Sequence, residues 1–89
     1  MDHIRHAAHG DVVRRLKRAE GHLGSVIAMV EGGRPCLDLA QQLHAVEKAI
    51  ANAKRELVQT HIDHCLDRAV EEGRAEAALD EVRAIVKHL

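Results

Sequence analysis

Between Pro35 and Gly73 the chain runs without a helix breaker. Pro lacks the N–H that a helix interior needs, and Gly supplies the left-handed residue that closes a helix, so the two residues bracket one element. The apolar spacing inside the bracket is helical too. Cys36, Leu39, Leu43, Val46, Ile50, Ala53 and Leu57, then His61 and His64/Cys65, alternate steps of three and four, the period of a coiled-coil seam. The pattern predicts a helix of about 30 residues, which at ~1.5 Å per residue spans roughly 45–50 Å.

A similar seam precedes it. Val12, Leu16, Ala19, Leu23, Val26 and Val30 share the period, with Gly10-Asp11 read as the helix start and Asp11 as its N-cap. That helix ends at "EGGRP", where Gly32 and Gly33 cap and Pro35 blocks continuation. A shorter third helix is predicted from about Ala75 to His88, after the turn "EEGR" at 71–74. The expected fold class is all-α, an antiparallel three-helix subunit (residues 11–89) with a long central helix. Residues 1–10, with His3, His6 and His9, are read as a flexible histidine-containing arm.

The composition bears on how such a subunit holds together. The 89 residues include no Phe, Tyr or Trp, so the core is thin, and chains of this kind usually need a metal, a staple or partner subunits. No apolar run approaches the ~20 residues of a membrane span, and the polar start "MDHIRHAAHG" is not a signal peptide. A soluble cytoplasmic protein is expected, with its two cysteines as thiols.

Eight histidines are the outlier. "THIDHCL", residues 60–66, places His61, His64 and Cys65 at i, i+3 and i+4, on nearly one side of a helix. Cys36 lies on the same seam, 25 residues before His61, which is ~37 Å on a continuous helix. One chain cannot close that gap around a single ion. Two long helices packed antiparallel about an axis near Ala49 and Ile50 would close it. The small residues of "AIANA" permit close approach, and the two-fold creates two equal sites, each with Cys36 of one subunit and His61 and Cys65 of the other. Two thiolates and an imidazole suit Cu(I), or Zn(II) with a fourth ligand. More nitrogen, from His64 or from the arm's His3 and His6, moves the preference to Ni(II) or Co(II). The plainer alternative is that Cys36 is a small seam hydrophobe and the arm a solvated tail. His22, His44 and His88 are read as ordinary histidines.

Formal net charge is -1, which excludes a globally basic nucleic-acid binder. The charge is uneven, however. Arg14, Arg15, Lys17 and Arg18 on the first helix and Lys48, Lys54 and Arg55 on the second either form one basic face that takes DNA phosphates with strong salt dependence, or form a solvated face balanced by Glu20, Glu47 and Glu56. No nucleophile–base constellation stands apart from the metal-type ligands, so an enzyme is not expected.

The stretch "RRLKRAEGHLGSVIAMVEGGRPCLDLAQQLHAVEKAIANAKRELVQTHIDHCL" resembles the CsoR/RcnR/FrmR family of bacterial metal- and formaldehyde-responsive repressors. The resemblance covers roughly residues 11–88. It rests on the R-x-x-G-H ending at Gly21-His22, on Cys36 followed by "LDLAQQL", and on His61-x-x-x-Cys65. It implies a three-helix subunit that dimerises through long antiparallel helices and assembles as a dimer of dimers. It implies operator double-stranded DNA as partner, bound without effector and released with it, to derepress an efflux or detoxification gene. The family's effector pattern falls on Cys36, His61 and Cys65, the form of the copper(I) branch. The nickel/cobalt branch has His at the last position and uses an N-terminal His, so His64 and His3 keep that metal pair next in line. The family's DNA-binding regions fall on Arg14, Arg15, Arg18, Lys54 and Arg55. Copper sensors of the family often carry a Tyr where Pro35 stands, linked to a Glu that Glu81 matches. Two other readings come with the fold: a formaldehyde- or thiol-reactive sensor acting through Cys36, and a metal buffer with no DNA role.

Overall fold

The computed structural model describes the backbone of residues 3–89 and the side chains of residues 9–64 and 66–89. Three helices account for nearly all of it: α1 (His3–Glu31), α2 (Cys36–Glu72) and α3 (Ala75–Val86). The all-α expectation holds, with three differences of extent. Helix α2 has 37 residues rather than about 30, because nothing interrupts it before Gly73. Helix α3 stops at Val86, short of His88. Helix α1 does not begin at Gly10-Asp11; it is already running at His3. One glycine inside a helix costs only about 1 kcal/mol, too little to start or stop one. Asp11 therefore caps nothing and pairs instead with Arg14 one turn on.

Both interhelical turns close the same way. Gly33 (φ 74°) and Gly73 (φ 70°) are the left-handed residues. After α1, the Arg34 N–H donates to the Met29 carbonyl and the Gly33 N–H to the Val30 carbonyl. After α2, the Arg74 N–H donates to the Ala69 carbonyl and the Gly73 N–H to the Val70 carbonyl. These paired bonds are the Schellman closure, which satisfies carbonyls the helix leaves open. At the second turn a hydrogen bond from Arg74, with Arg68 adding charge, holds the Glu72 carboxyl below its ordinary value.

Helix α1 folds back antiparallel on the first two thirds of α2, and α3 folds back along the remainder. Among the described residues α1 and α3 share no contact. The Cα trace measures 57 × 26 × 13 Å, so the subunit is a single layer about one helix thick. The buried residues are small: Val12, Ala19, Val26, Val46, Ala53, Ala69 and Ala78. Ala19 and Ala53 at the α1–α2 contact let the two backbones approach closely. A one-layer arrangement leaves large apolar side chains uncovered, among them Leu16, Leu23, Ile27, Leu43, Ile50 and Leu57. Among the described residues no helix is long and apolar enough to cross a membrane.

Candidate metal and nucleic-acid sites

The seam of α2 divides in two. Val46 and Ala53 are buried and Leu39 is half-buried against α1, whereas Leu43, Ile50 and Leu57, each seven residues apart, stay exposed. At 100° per residue those three lie to one flank of the buried stripe. Leu16 and Leu23 of α1 lie to the same flank of Val12, Ala19 and Val26. In an antiparallel pair equal flanks meet on one side, so the layer has one apolar face. Cys36 begins the exposed seam seven residues before Leu43, and His61 and His64 end it just beyond Leu57.

Cys36 is the first residue of α2 and its thiol is exposed. The preceding Pro35, with φ -57° and ψ 143°, sits at the N-cap position, and its carbonyl accepts the Leu39 N–H at 3.1 Å. At the far end His61 is half-buried and its Nε2 lies 2.9 Å from Oε1 of Glu81 on α3. The resemblance linked Glu81 to the tyrosine that Pro35 replaces; here its partner is His61. A carboxylate against one ring nitrogen fixes the ring's orientation, the usual arrangement behind a metal-binding imidazole. His64, one turn beyond, is half-buried. Of the remaining expected ligands, the side chains of His3 and Cys65 lie outside the described residues.

Within one chain these groups do not converge. Cys36 and His61 stand at opposite ends of the seam, ~37 Å apart by helical rise, and no three His, Cys, Asp or Glu among the described residues are grouped as a metal ion requires. The donor chemistry nevertheless fits a soft ion: one exposed thiol and one carboxylate-oriented imidazole, both on the exposed apolar face.

The opposite face carries the cations. Arg15 Nη2 is 3.1 Å from Glu56 Oε2 across the hairpin. Arg14 is paired with Asp11, and Arg55 donates to Asn52 Oδ1 at 3.1 Å. Arg15 and Arg18 line a recess of about 230 Å³ between α1 and α2 together with His22 and Asn52, and Ala19 and Ala49 form its floor. Lys54 stands apart from this group, its Nζ donating to the His88 carbonyl at 2.9 Å where α3 ends. One residue was read too plainly from the sequence. His22 is not an idle surface histidine, since its Nε2 is 2.7 Å from Gln42 Oε1 and it lines the recess. Folding the chain back about the turn at 32–35 brings residue 22 near residue 42, and that pairing was available from the two seams alone.

Comparison with known proteins places this geometry. The profile of the family described as "Metal-sensitive transcriptional repressor" matches residues 8–88. The copper-sensing transcriptional repressor CsoR of Mycobacterium ulcerans is 40% identical over 75 residues, 84% of this chain and 64% of that protein. This chain thus spans about 63–64% of the length of the mycobacterial CsoR relatives. Among solved structures, the nickel-responsive transcriptional regulator InrS superposes with a TM-score of 0.81 at 34% identity, covering 89% of each chain. The Cu(I)-bound copper-sensing repressor CsoR of Geobacillus thermodenitrificans gives 0.82 at 34% identity, over 89% of this chain and 82% of that one.

Proposed function

The chain belongs to the metal-sensitive transcriptional repressor family, and from that premise we propose that it is a metal-sensing repressor of the cytoplasm. It binds operator double-stranded DNA in the metal-free form and releases it when a transition metal occupies a site shared between subunits. Cys36 of one subunit joins His61 and Cys65 of its partner there, with His64 and His3 as further donors. Cu(I) is the effector the donor set favours, and Ni(II) or Co(II) follows. The names of the relatives agree, one group copper-sensing and one solved neighbour nickel-responsive.

The observation that carries the reading is the exposed seam of α2. It opens on a thiol at Cys36, closes on a carboxylate-oriented imidazole at His61, and is lined between them by Leu43, Ile50 and Leu57. A second copy packed antiparallel covers those side chains and brings each thiol to the other subunit's histidine. Bound metal supplies a cross-link across that boundary. Val70, Leu79 and Val86, a second exposed apolar group, support pairing of two such dimers into a tetramer. Arg14, Arg15, Arg18, Lys54 and Arg55 provide the cations for operator phosphates. Metal and DNA then oppose each other reciprocally, with a coupling of ~1–3 kcal/mol. Because the thiols and imidazole must shed protons to ligate, metal affinity rises with pH.

The test is fluorescence anisotropy of the reduced, anaerobic protein on DNA from its own upstream region, titrated in turn with Cu(I), Ni(II), Co(II) and Zn(II). Release at one metal per subunit in the wild type, and none in Cys36→Ala, is the expected outcome. Tight metal binding without specific DNA binding would replace the repressor with a buffer. Release by formaldehyde but by none of the metals would replace it with an aldehyde sensor.

A further inference from the structure

Helix α3 has little apolar contact to hold it in place. It is 12 residues long, a length at which an isolated helix is marginal in water. Ala78 is its one buried residue, with Val82 and Ile85 half-buried, and among the described residues it does not touch α1. The turn at Gly73 fixes where it starts. Its far end is held by a side chain of α2. The His88 carbonyl accepts from Nζ of Lys54 at 2.9 Å, where the last carbonyls of a helix concentrate partial negative charge and favour a cation. Two turns back, Glu81 Oε1 lies 2.9 Å from His61 Nε2. A carboxylate only accepts, so His61 donates through Nε2–H. The two contacts share a register. Lys54 and His61 are seven residues apart on α2, and Glu81 and His88 are seven apart in the opposite sense. They are successive rungs of one antiparallel pairing, so a shift that opens one strains the other.

We propose that Lys54 is a positioning residue for His61. Its ammonium docks the end of α3, and the docked helix holds Glu81 against the imidazole two turns away. Lys54 therefore has a task within the fold, separate from the charge it adds to the surface. What the held imidazole serves, effector binding, rests on the metal-sensing reading; the docking of α3 by Lys54 does not.

The experiment compares the wild-type chain with Lys54→Met, Lys54→Arg and Lys48→Met, all reduced and metal-free. Methionine keeps an unbranched stem and removes the donor, whereas arginine keeps both donor and charge. Lys48 is an exposed cation of α2 that the same register carries past Leu89, beyond the reach of α3. Hydrogen exchange of the α3 backbone amides, read by NMR, is the first arm. Solvent exchange of the His61 Nε2–H proton, shielded while Glu81 accepts it, is the second. In Lys54→Met the α3 amides are expected to exchange about two- to fivefold faster, as loss of one cation at a helix end implies, with the α1 amides unchanged. The His61 ring proton should speed up by the same factor, because both report undocking of one helix. Lys54→Arg and Lys48→Met should exchange as the wild type does in both arms. If Lys54→Met exchanges no faster than Lys48→Met, the dock is overturned. If the α3 amides respond but the His61 ring proton does not, the positioning role is overturned. A wild type that meets both expectations yet binds neither metal nor DNA removes the repressor reading and leaves the role of Lys54 standing.

Discussion

Replacing Ile50 by Ala tests the open seam where the proposed two-fold axis crosses it. Ile50 is 44% exposed in the single chain. Full burial of an isoleucine side chain is worth about 1.5–3 kcal/mol, so covering the remaining exposure is worth about 0.7–1.3 kcal/mol. The axis brings both copies of residue 50 into the same contact, which doubles the loss to about 1.3–2.6 kcal/mol per dimer. At 1.4 kcal/mol per factor of ten, dimer dissociation should rise roughly 10- to 80-fold. Sedimentation equilibrium of the reduced, metal-free protein over a wide concentration range measures it. Leu37→Ala is the control. Leu37 is 68% exposed and lies off the seam, so its loss should leave dimerisation unchanged. An Ile50→Ala protein that dimerises as tightly as the wild type, or a Leu37→Ala protein that weakens equally, would refute the antiparallel pairing about residues 49–50.

Ala53 is fully buried where α1 meets α2, and Ala53→Leu should cost about 1–3 kcal/mol by overpacking, read as a fall in the denaturant midpoint. A Cβ at Gly73 would touch nothing within 4 Å, so Gly73→Ala isolates the left-handed backbone. It should cost about 1–2 kcal/mol and lower Tm by about 4–8 °C per kcal/mol. Arg74 depresses the Glu72 carboxyl below its ordinary 4.5. The tie between them is therefore complete above pH 4.5 and lost as pH falls through the lowered value. An NMR titration should place the Glu72 midpoint below 4.5 and return it toward 4.5 in Arg74→Ala.

Much of this was legible in the sequence because breakers and period speak to local structure. The positions of Gly33, Pro35 and Gly73 set the ends of α2, and the three-four alternation named its seam. The alternation did not say which half of the seam meets α1. That choice follows from residue size: Val46 and Ala53 fit between close backbones, and Leu43, Ile50 and Leu57 do not. The start of α1 was misread because Gly10-Asp11 has the composition of a cap, whereas neighbouring alanines carry a helix through it at small cost. The family resemblance singled out Glu81, but its pairing with His61 is encoded by no local pattern. The roles of the cations were the least legible. Arg14, Arg15, Arg18, Lys54 and Arg55 are alike as letters, yet one faces a neighbouring aspartate, one a glutamate across the hairpin, one an open recess, one the end of α3 and one an asparagine.

The alanines at the α1–α2 contact have a mechanical consequence. With Ala19 and Ala53 at the interface there are no long side chains to change rotamer and take up a displacement, and close-packed interiors transmit strain. The hairpin should therefore move as a stiff plate. A pull applied at Cys36 or at His61 then turns the whole plate against its partner, and the cations on its far side are carried round together.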